Sequence, residues 1–168
     1  MRILTLTALV VAVLVIAPVH ASANATGVGL GVAAGADIAK NGNVNTKTNF
    51  SWGFFVDIPL LSTFYITPQT SLYQLQLVDG GNKASVTDVD LNFKFLVPAG
   101  FVTLGAGLTA GLTTGLGDYQ GHYGALGYFS LNLVANLDAF VMVQWKRLTI
   151  HKENVDNIHG YVGGMWKF

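Results

Sequence analysis

The sequence predicts an all-β fold, an eight-stranded antiparallel up-and-down transmembrane β-barrel, and three observations carry that prediction. Apolar and polar residues alternate with a period of two through eight segments, which are separated in turn by longer polar loops and tight Pro- or Gly-containing turns. Charge is scarce, at 11% of 168 residues, against about 25% in an ordinary globular domain. The ionisable residues well inside the segments, Asp37, Asp57, Asp88, Asp90, Lys94, Lys146 and His159, take the parity opposite to the apolar set. A soluble sandwich also alternates, but its outer face would be richer in charge. The apolar side is therefore expected to meet lipid, and the polar side to be enclosed.

Residues 1–23 read as a cleaved secretory signal, with Arg2, an apolar core from Ile3 to Ala17, and small residues at Ala21 and Ala23 before Asn24. That core is short of the roughly 20 residues a spanning helix needs, so the barrel is expected over 24–168. The chain has no Cys, which removes disulfides and thiolate chemistry. Its formal net charge is zero and no basic patch stands out, so nucleic acid is not expected as a partner.

Taken in order, the first segment sets Leu30, Val32, Ala34, Ala36 and Ile38 against Gly29, Gly31, Gly35 and Asp37. The second sets Phe50, Trp52, Phe54, Val56 and Ile58 against Ser51, Gly53, Phe55 and Asp57, and stops at Pro59. The third is irregular. Phe64 and Ile66 are apolar at even positions, but beyond Pro68 the apolar set moves to Tyr73, Leu75 and Leu77. Because proline cannot donate to a ladder, a bulge between Thr67 and Ser71 that switches faces is expected.

The fourth segment alternates Val89, Leu91, Phe93, Phe95 and Val97 with Asp88, Asp90, Asn92 and Lys94, before the turn Pro98-Ala99-Gly100. The fifth is the most regular, with Val102, Leu104, Ala106, Leu108, Ala110 and Leu112 against Thr and Gly. A loop through Gly115, Gly117, Asp118 and Gly121, with His122 on it, leads to the sixth, where Tyr123, Ala125, Phe129 and Leu131 face away from Tyr128, Ser130 and Asn132. The seventh opposes Val141, Val143 and Trp145 to Met142, Gln144 and Lys146, and a last loop is expected over His151 to Asn157.

The eighth segment puts Ile158, Val162, Trp166 and the final residue Phe168 on one side, and His159, Tyr161 and Lys167 on the other. An exposed terminal strand of this kind is an aggregation edge unless the first strand covers it. In this the chain resembles the small eight-stranded bacterial outer-membrane β-barrel proteins, the OmpX-like and OmpA-barrel-like group, whose last strand ends in Phe. The resemblance implies an outer-membrane location, periplasmic termini and a monomer. It also implies that Val162, Trp166 and Phe168 form an assembly signal read by the barrel-assembly machinery, and that membrane lipid and lipopolysaccharide are partners.

Candidate site residues fall into two groups. Asp37, Asp57, Asp88, Asp90, Lys94, Gln144, Lys146, His159 and Tyr161 are expected to form a polar network in the lumen, since charges enclosed alone are costly. Phe50, Trp52, Tyr123 and Trp145 toward one rim, and Phe64 toward the other, are expected to form aromatic girdles at the two headgroup levels. The first and fifth segments line the lumen with almost nothing but Gly, Ala, Thr and Asp37, which implies a close-packed wall or a ligand cavity beside Pro68.

The function expected is structural or surface-interacting, non-enzymatic, with a plugged polar lumen. The alternative is a narrow channel or carrier for small solutes or hydrophobic molecules. A lipid A-modifying enzyme is the third reading, but the His-x-Ser arrangement such an enzyme resembles is missing. His151, Glu153 and His159 around the last loop offer a weak metal set, although no metal or other cofactor is expected. The loop lysines Lys40, Lys47, Lys83 and Lys152 suit lipopolysaccharide phosphates.

Overall fold

The structure, a computed structural model, describes residues 27–41, 44–45, 49–75, 83–134, 136–150 and 153–168. The signal segment, its cleavage site, and Lys47, Asp79, His151 and Lys152 lie outside the described residues.

Eight long strands and one short one follow in sequence order: β1 Gly29–Asn41, β2 Val44–Asn45, β3 Asn49–Pro59, β4 Phe64–Leu75, β5 Ala84–Ala99, β6 Val102–Thr114, β7 Gln120–Val134, β8 Leu137–Ile150 and β9 Glu153–Lys167. Each long strand pairs antiparallel with the next, and β2 only folds back on the tip of β1. The first strand and the last then pair from Gly29 with Lys167 to Asn41 with Val155, which closes the sheet and leaves no long edge. Stepping through paired residues once around the wall, from Gly31 through Phe55, Gln69, Asp90, Gly111, His122, Leu148 and Val155, leads back to Asn41, ten residues further along β1. That stagger requires strands tilted by about 35–45° to the barrel axis.

The end of the barrel that holds Gly27 and Phe168 is called here the terminal end, and the opposite one the far end. Terminal-end connections are short, at residues 60–63, 100–101 and 135–136, and Gly100 adopts φ 68° in the turn between β5 and β6.

The outward face is apolar from the terminal end to just short of the far rim. Val32, Phe54, Leu104, Leu108, Val143 and Val162 are all at least half exposed, Leu108 by 66%. Leaving a large apolar side chain in water forgoes about 1.5–3 kcal/mol, so a continuous surface of them is stable only against an apolar solvent. The inward face holds the polar residues, but it also holds a second population of apolar ones. Phe55, Tyr65, Leu126, Tyr128, Phe140, Met142, Tyr161 and Met165 pack together in the terminal half. Leu75, Val86, Leu148 and Val155 close over the far end with Ala39 and Tyr73.

Three expectations need correction. No bulge occurs at Pro68, because β4 pairs continuously with β5 from Phe64 to Leu75. On its other side the ladder with β3 lacks the pairs opposite Val56 and Asp57, yet Phe55–Gln69 and Ile58–Ile66 keep one register. Proline removes a donor here without inserting a residue. Tyr73 and Leu75 therefore face inward, and the face switch read from them reflects the apolar cap of the far end. The register shift that does occur lies between β7 and β8, at Asn132 and Val134. His122 is a residue of β7, not of a loop, and the seven-residue loop expected from His151 to Asn157 shrinks because β9 begins at Glu153.

Candidate functional site: the layered lumen

The site residues sit where the strand period puts them, and the register then decides which of them meet. On β5, Asp88 and Asp90 point inward one above the other. Asp90 stands opposite Gly111 on β6, and Gly111 stands opposite His122 on β7. A Cβ at Gly111 would lie 2.7 Å from Asp90 Oδ1 and 2.8 Å from His122 Nε2. With no side chain there, the imidazole reaches over the intervening strand and bonds Asp90 through Nε2. Asp88 stands opposite Thr113, whose hydroxyl donates to it at 2.7 Å and also lies 2.8 Å from His122 Nδ1.

From across the lumen, Lys146 on β8 places its Nζ 2.9 Å from Asp88 Oδ2 and 2.6 Å from Asp90 Oδ2. Tyr73 donates to Asp88 at 3.1 Å. His159 on β9 is fully buried, with Nε2 4.0 Å from Asp88 Oδ2. Asp37 is buried on β1 opposite His159 in the ladder.

Toward the terminal end comes a layer of amides. Gln69 and Gln144 exchange hydrogen bonds at 3.0 Å, Asn92 donates to Gln69 at 2.7 Å, and Gln144 donates to Asn92 at 2.9 Å. Reciprocal pairing lets neutral groups satisfy one another without a charge. Next lie the rings of Phe55, Phe140, Tyr161 and Tyr128, with Phe55 edge-on to Phe140 at 5.3 Å and to Tyr161 at 5.6 Å.

A second ion pair follows, Lys94 Nζ to Asp57 at 2.6 and 2.8 Å, with Thr67 donating to Asp57 at 2.7 Å and the ammonium 4.5 Å from the Tyr128 ring centre. At the terminal mouth Lys167 pairs with Asp138 at 2.5 Å.

All nine lumen candidates are thus buried on the inward face. Asp57 with Lys94, and Asp88 and Asp90 with Lys146, are brought together, whereas Tyr161 meets no charged group directly among the described residues and lies 3.4 Å from His159 Nδ1. Sequence reading missed His122, Thr113, Gln69 and Tyr73 as partners. Parity offered the signal for Gln69 and Thr113, while His122 needed the β6–β7 register.

The glycine-rich wall of β1 is close-packed, since a Cβ at Gly31 would meet Met165 Cε at 2.8 Å and one at Gly35 would meet Tyr161 Cδ1 at 2.8 Å. A cavity of about 450 Å³ does lie at Pro68, lined mainly by outward residues that include Leu30, Val32, Phe54, Val56 and Trp166. Inside the lumen a cavity of only about 30 Å³ lies beside Asp57 and Tyr128.

On the outward face, Phe50, Trp52 and Tyr123 toward the far end, and Phe64, Trp166 and Phe168 toward the terminal end, are exposed. Phe50 meets Trp52 edge-on at 5.0 Å. Arg147 and Asp156 also face outward near the far rim, although Asp156 was expected in a loop. Arg147 bonds Asp156 through two nitrogens at 2.8 and 3.0 Å, and its guanidinium lies 5.3 Å from the Trp145 ring. Asp156 stands opposite Lys40 on β1 as well.

Chemically, Thr113, His122 and Asp90 make a hydroxyl–imidazole–carboxylate chain. Its hydroxyl is already donated to Asp88 and is buried, so it is not free as a nucleophile.

No protein-family model and no curated protein matches the sequence. Solved structures do. Neisserial surface protein A (NspA) superposes with a TM-score of 0.71 at 15% identity, over 85% of this chain and 98% of that one. Ail, the attachment invasion locus protein of Yersinia pestis, gives 0.57 at 10% identity over 86% and 99%. The outer membrane protein OprG from Pseudomonas aeruginosa gives 0.53 at 11% identity over 86% and 98%. Identities this low establish shape alone, and together with the closed register and the apolar exterior they identify the fold as that of the small eight-stranded transmembrane β-barrels.

Proposed function

We propose that the protein is a non-enzymatic barrel of the bacterial outer membrane, non-conducting because its lumen is plugged, with a structural or surface-interaction role. The single observation that carries the reading is the crossing of the lumen at successive levels. Lys146 reaches from β8 to the aspartates of β5, and Gln144 reaches from β8 to Gln69 on β4. An eight-stranded barrel has an interior just wide enough for side chains to fill.

The termini lie in the periplasm in this reading. Three of the four far-end connections, residues 42–48, 76–83 and 115–119, are longer than the turns at the terminal end, the fourth, 151–152, being as short, and this supports that orientation. Assembly through Val162, Trp166 and Phe168 fits their outward, exposed position on the last strand. Lipopolysaccharide and membrane lipid are the partners, met at the far rim by Arg147 and Lys40 beside the Trp145 ring. The chain works as a monomer.

Planar-bilayer recording tests the plug. Wild-type protein and Asp90→Asn are both expected to give no unitary current, and a steady current from wild type would overturn the reading. A carrier for hydrophobic molecules is favoured by one feature, the apolar groove where Pro68 interrupts the ladder. That groove faces lipid, and passage inward would require the Gln69–Gln144 layer to part.

A further inference from the structure

We propose that Asp88, Asp90, His122 and His159 form a binding site for a divalent transition-metal ion in the far half of the lumen. One ligand atom each from Asp88, Asp90 and His122 lies within 4.8 Å of the others, and all three residues are buried. Donors that share an ion such as Zn2+ sit about 2.0–2.2 Å from it and so roughly 3.3–3.6 Å from one another in a tetrahedral set; binding therefore draws the wider separations in by about an ångström and parts His122 Nε2 from Asp90 Oδ1.

The fourth donor is an independent observation. His159 Nε2 is buried, has no hydrogen-bond partner, and is aimed at Asp88 Oδ2 from 4.0 Å. Buried polar atoms are nearly always satisfied, and one that is not calls for a partner of its own. A metal ion is that partner.

The surroundings are those a metal-binding imidazole requires. In such sites the second ring nitrogen is held by another group, which fixes the ring and presents the free nitrogen to the ion. Here Thr113 Oγ1 holds Nδ1 of His122 at 2.8 Å, and Tyr161 OH lies 3.4 Å from Nδ1 of His159. The His159 ring is further clamped edge-on to Tyr73 at 4.7 Å and parallel to Tyr161 at 5.8 Å. Tyr73 and Thr113 orient the Asp88 carboxylate. Two imidazole nitrogens with two carboxylate oxygens suit Zn2+, Co2+ and their neighbours better than Mg2+ or Ca2+, which prefer oxygen alone.

The charge balance leaves room for the ion. Asp88 and Asp90 share one ammonium, that of Lys146, which lies between them. Lys146 is the resident cation with which the metal competes. Binding releases two protons to solvent, the one held between His122 Nε2 and Asp90 and one from the Lys146 ammonium, which stays buried as a neutral amine, so that the ion's two charges are met by the two carboxylates. The two carboxylates and two neutral imidazoles then coordinate the ion.

The experiment uses tag-free, full-length mature protein folded in detergent, with Co2+ alone as the probe, read by its visible absorption and by equilibrium dialysis. One Co2+ per chain is expected, displaced by Zn2+. His159→Phe, with folding verified by heat-modifiable gel migration, is expected to weaken binding about tenfold or more. Lys146→Met, with folding verified in the same way, removes the competing cation and is expected to tighten binding, and a weakening would overturn its role as competitor. His151→Ala leaves binding unchanged. Absence of stoichiometric Co2+ in the wild type, equal affinity in folded His159→Phe, or loss of binding on His151→Ala overturns the site. None of these readouts depends on whether the barrel conducts.

Discussion

The lumen contains two clusters of buried charge, and they are built differently. Near the terminal end, Asp57 and Lys94 are matched one to one. The carboxylate takes two contacts from the ammonium and one from Thr67, and the ammonium rests against Tyr128. In the far half, two aspartates share one lysine with two histidines, and one imidazole nitrogen is left over. The first cluster is closed, because every group has its complement and exchange would only cost energy. The second is open to exchange, because acceptors outnumber fixed cations and an unused donor atom faces them. A buried ion pair is weak evidence for net stability, but the contrast separates a group that stiffens the barrel from one that can take a ligand.

Breaking the closed pair on one side has the largest expected effect. Lys94→Met leaves Asp57 uncompensated at 3% exposure and is expected to cost about 3–5 kcal/mol, measured by urea unfolding in lipid vesicles. Adding Asp57→Asn to it is expected to recover most of that loss, as a double-mutant cycle would register. Next comes the open cluster. There Asp90→Asn keeps the shape and leaves Lys146 paired with Asp88, so a loss of about 1–3 kcal/mol is expected. A loss as large as that of Lys94→Met would erase the distinction between the clusters.

A comparable gain is expected from the ligand. Zn2+ held free at about 100 times its dissociation constant should stabilise the wild type by about 2.7 kcal/mol and His159→Phe far less, with no response in the Asp57–Lys94 half. The smallest effect belongs to Arg147→Gln. Its pair with Asp156 has geometry as good as that of the buried pairs, but it faces outward and is one-third exposed on each side. Unfolding midpoints indistinguishable from wild type are expected, since surface pairs contribute little. A shift rivalling that of Lys94→Met would mean that burial is not what separates them.

How much of this was legible in the sequence depended on the range of the interaction. Parity placed Asp88, Asp90, Asn92 and Lys94 on one face of β5 and Leu91, Phe93 and Phe95 on the other, and the structure has them so. It failed on β4, where inward-facing Tyr73 and Leu75 were read as outward because a bulge at Pro68 was expected to switch the faces. The far-end lumen is sealed by apolar side chains that look the same in sequence as lipid-facing ones. His122 was misplaced for a related reason, because the glycines around it read as loop while its role depends on a gap at Gly111 one strand away.

The sequence by itself determined the eight segments, the faces of the residues it read as strand on seven of them, and the shortage of charge that excludes a water-facing exterior. Those are consequences of the two-residue repeat of an extended chain, which needs no knowledge of its neighbours. Only the tertiary structure decided which inward groups meet: Lys146 with two aspartates, Gln69 with Gln144, and His122 and His159 with the same carboxylate cluster. Partnership there is set by the ten-residue stagger and by a lumen so narrow that side chains from opposite walls touch, and both are properties of closure rather than of any one strand.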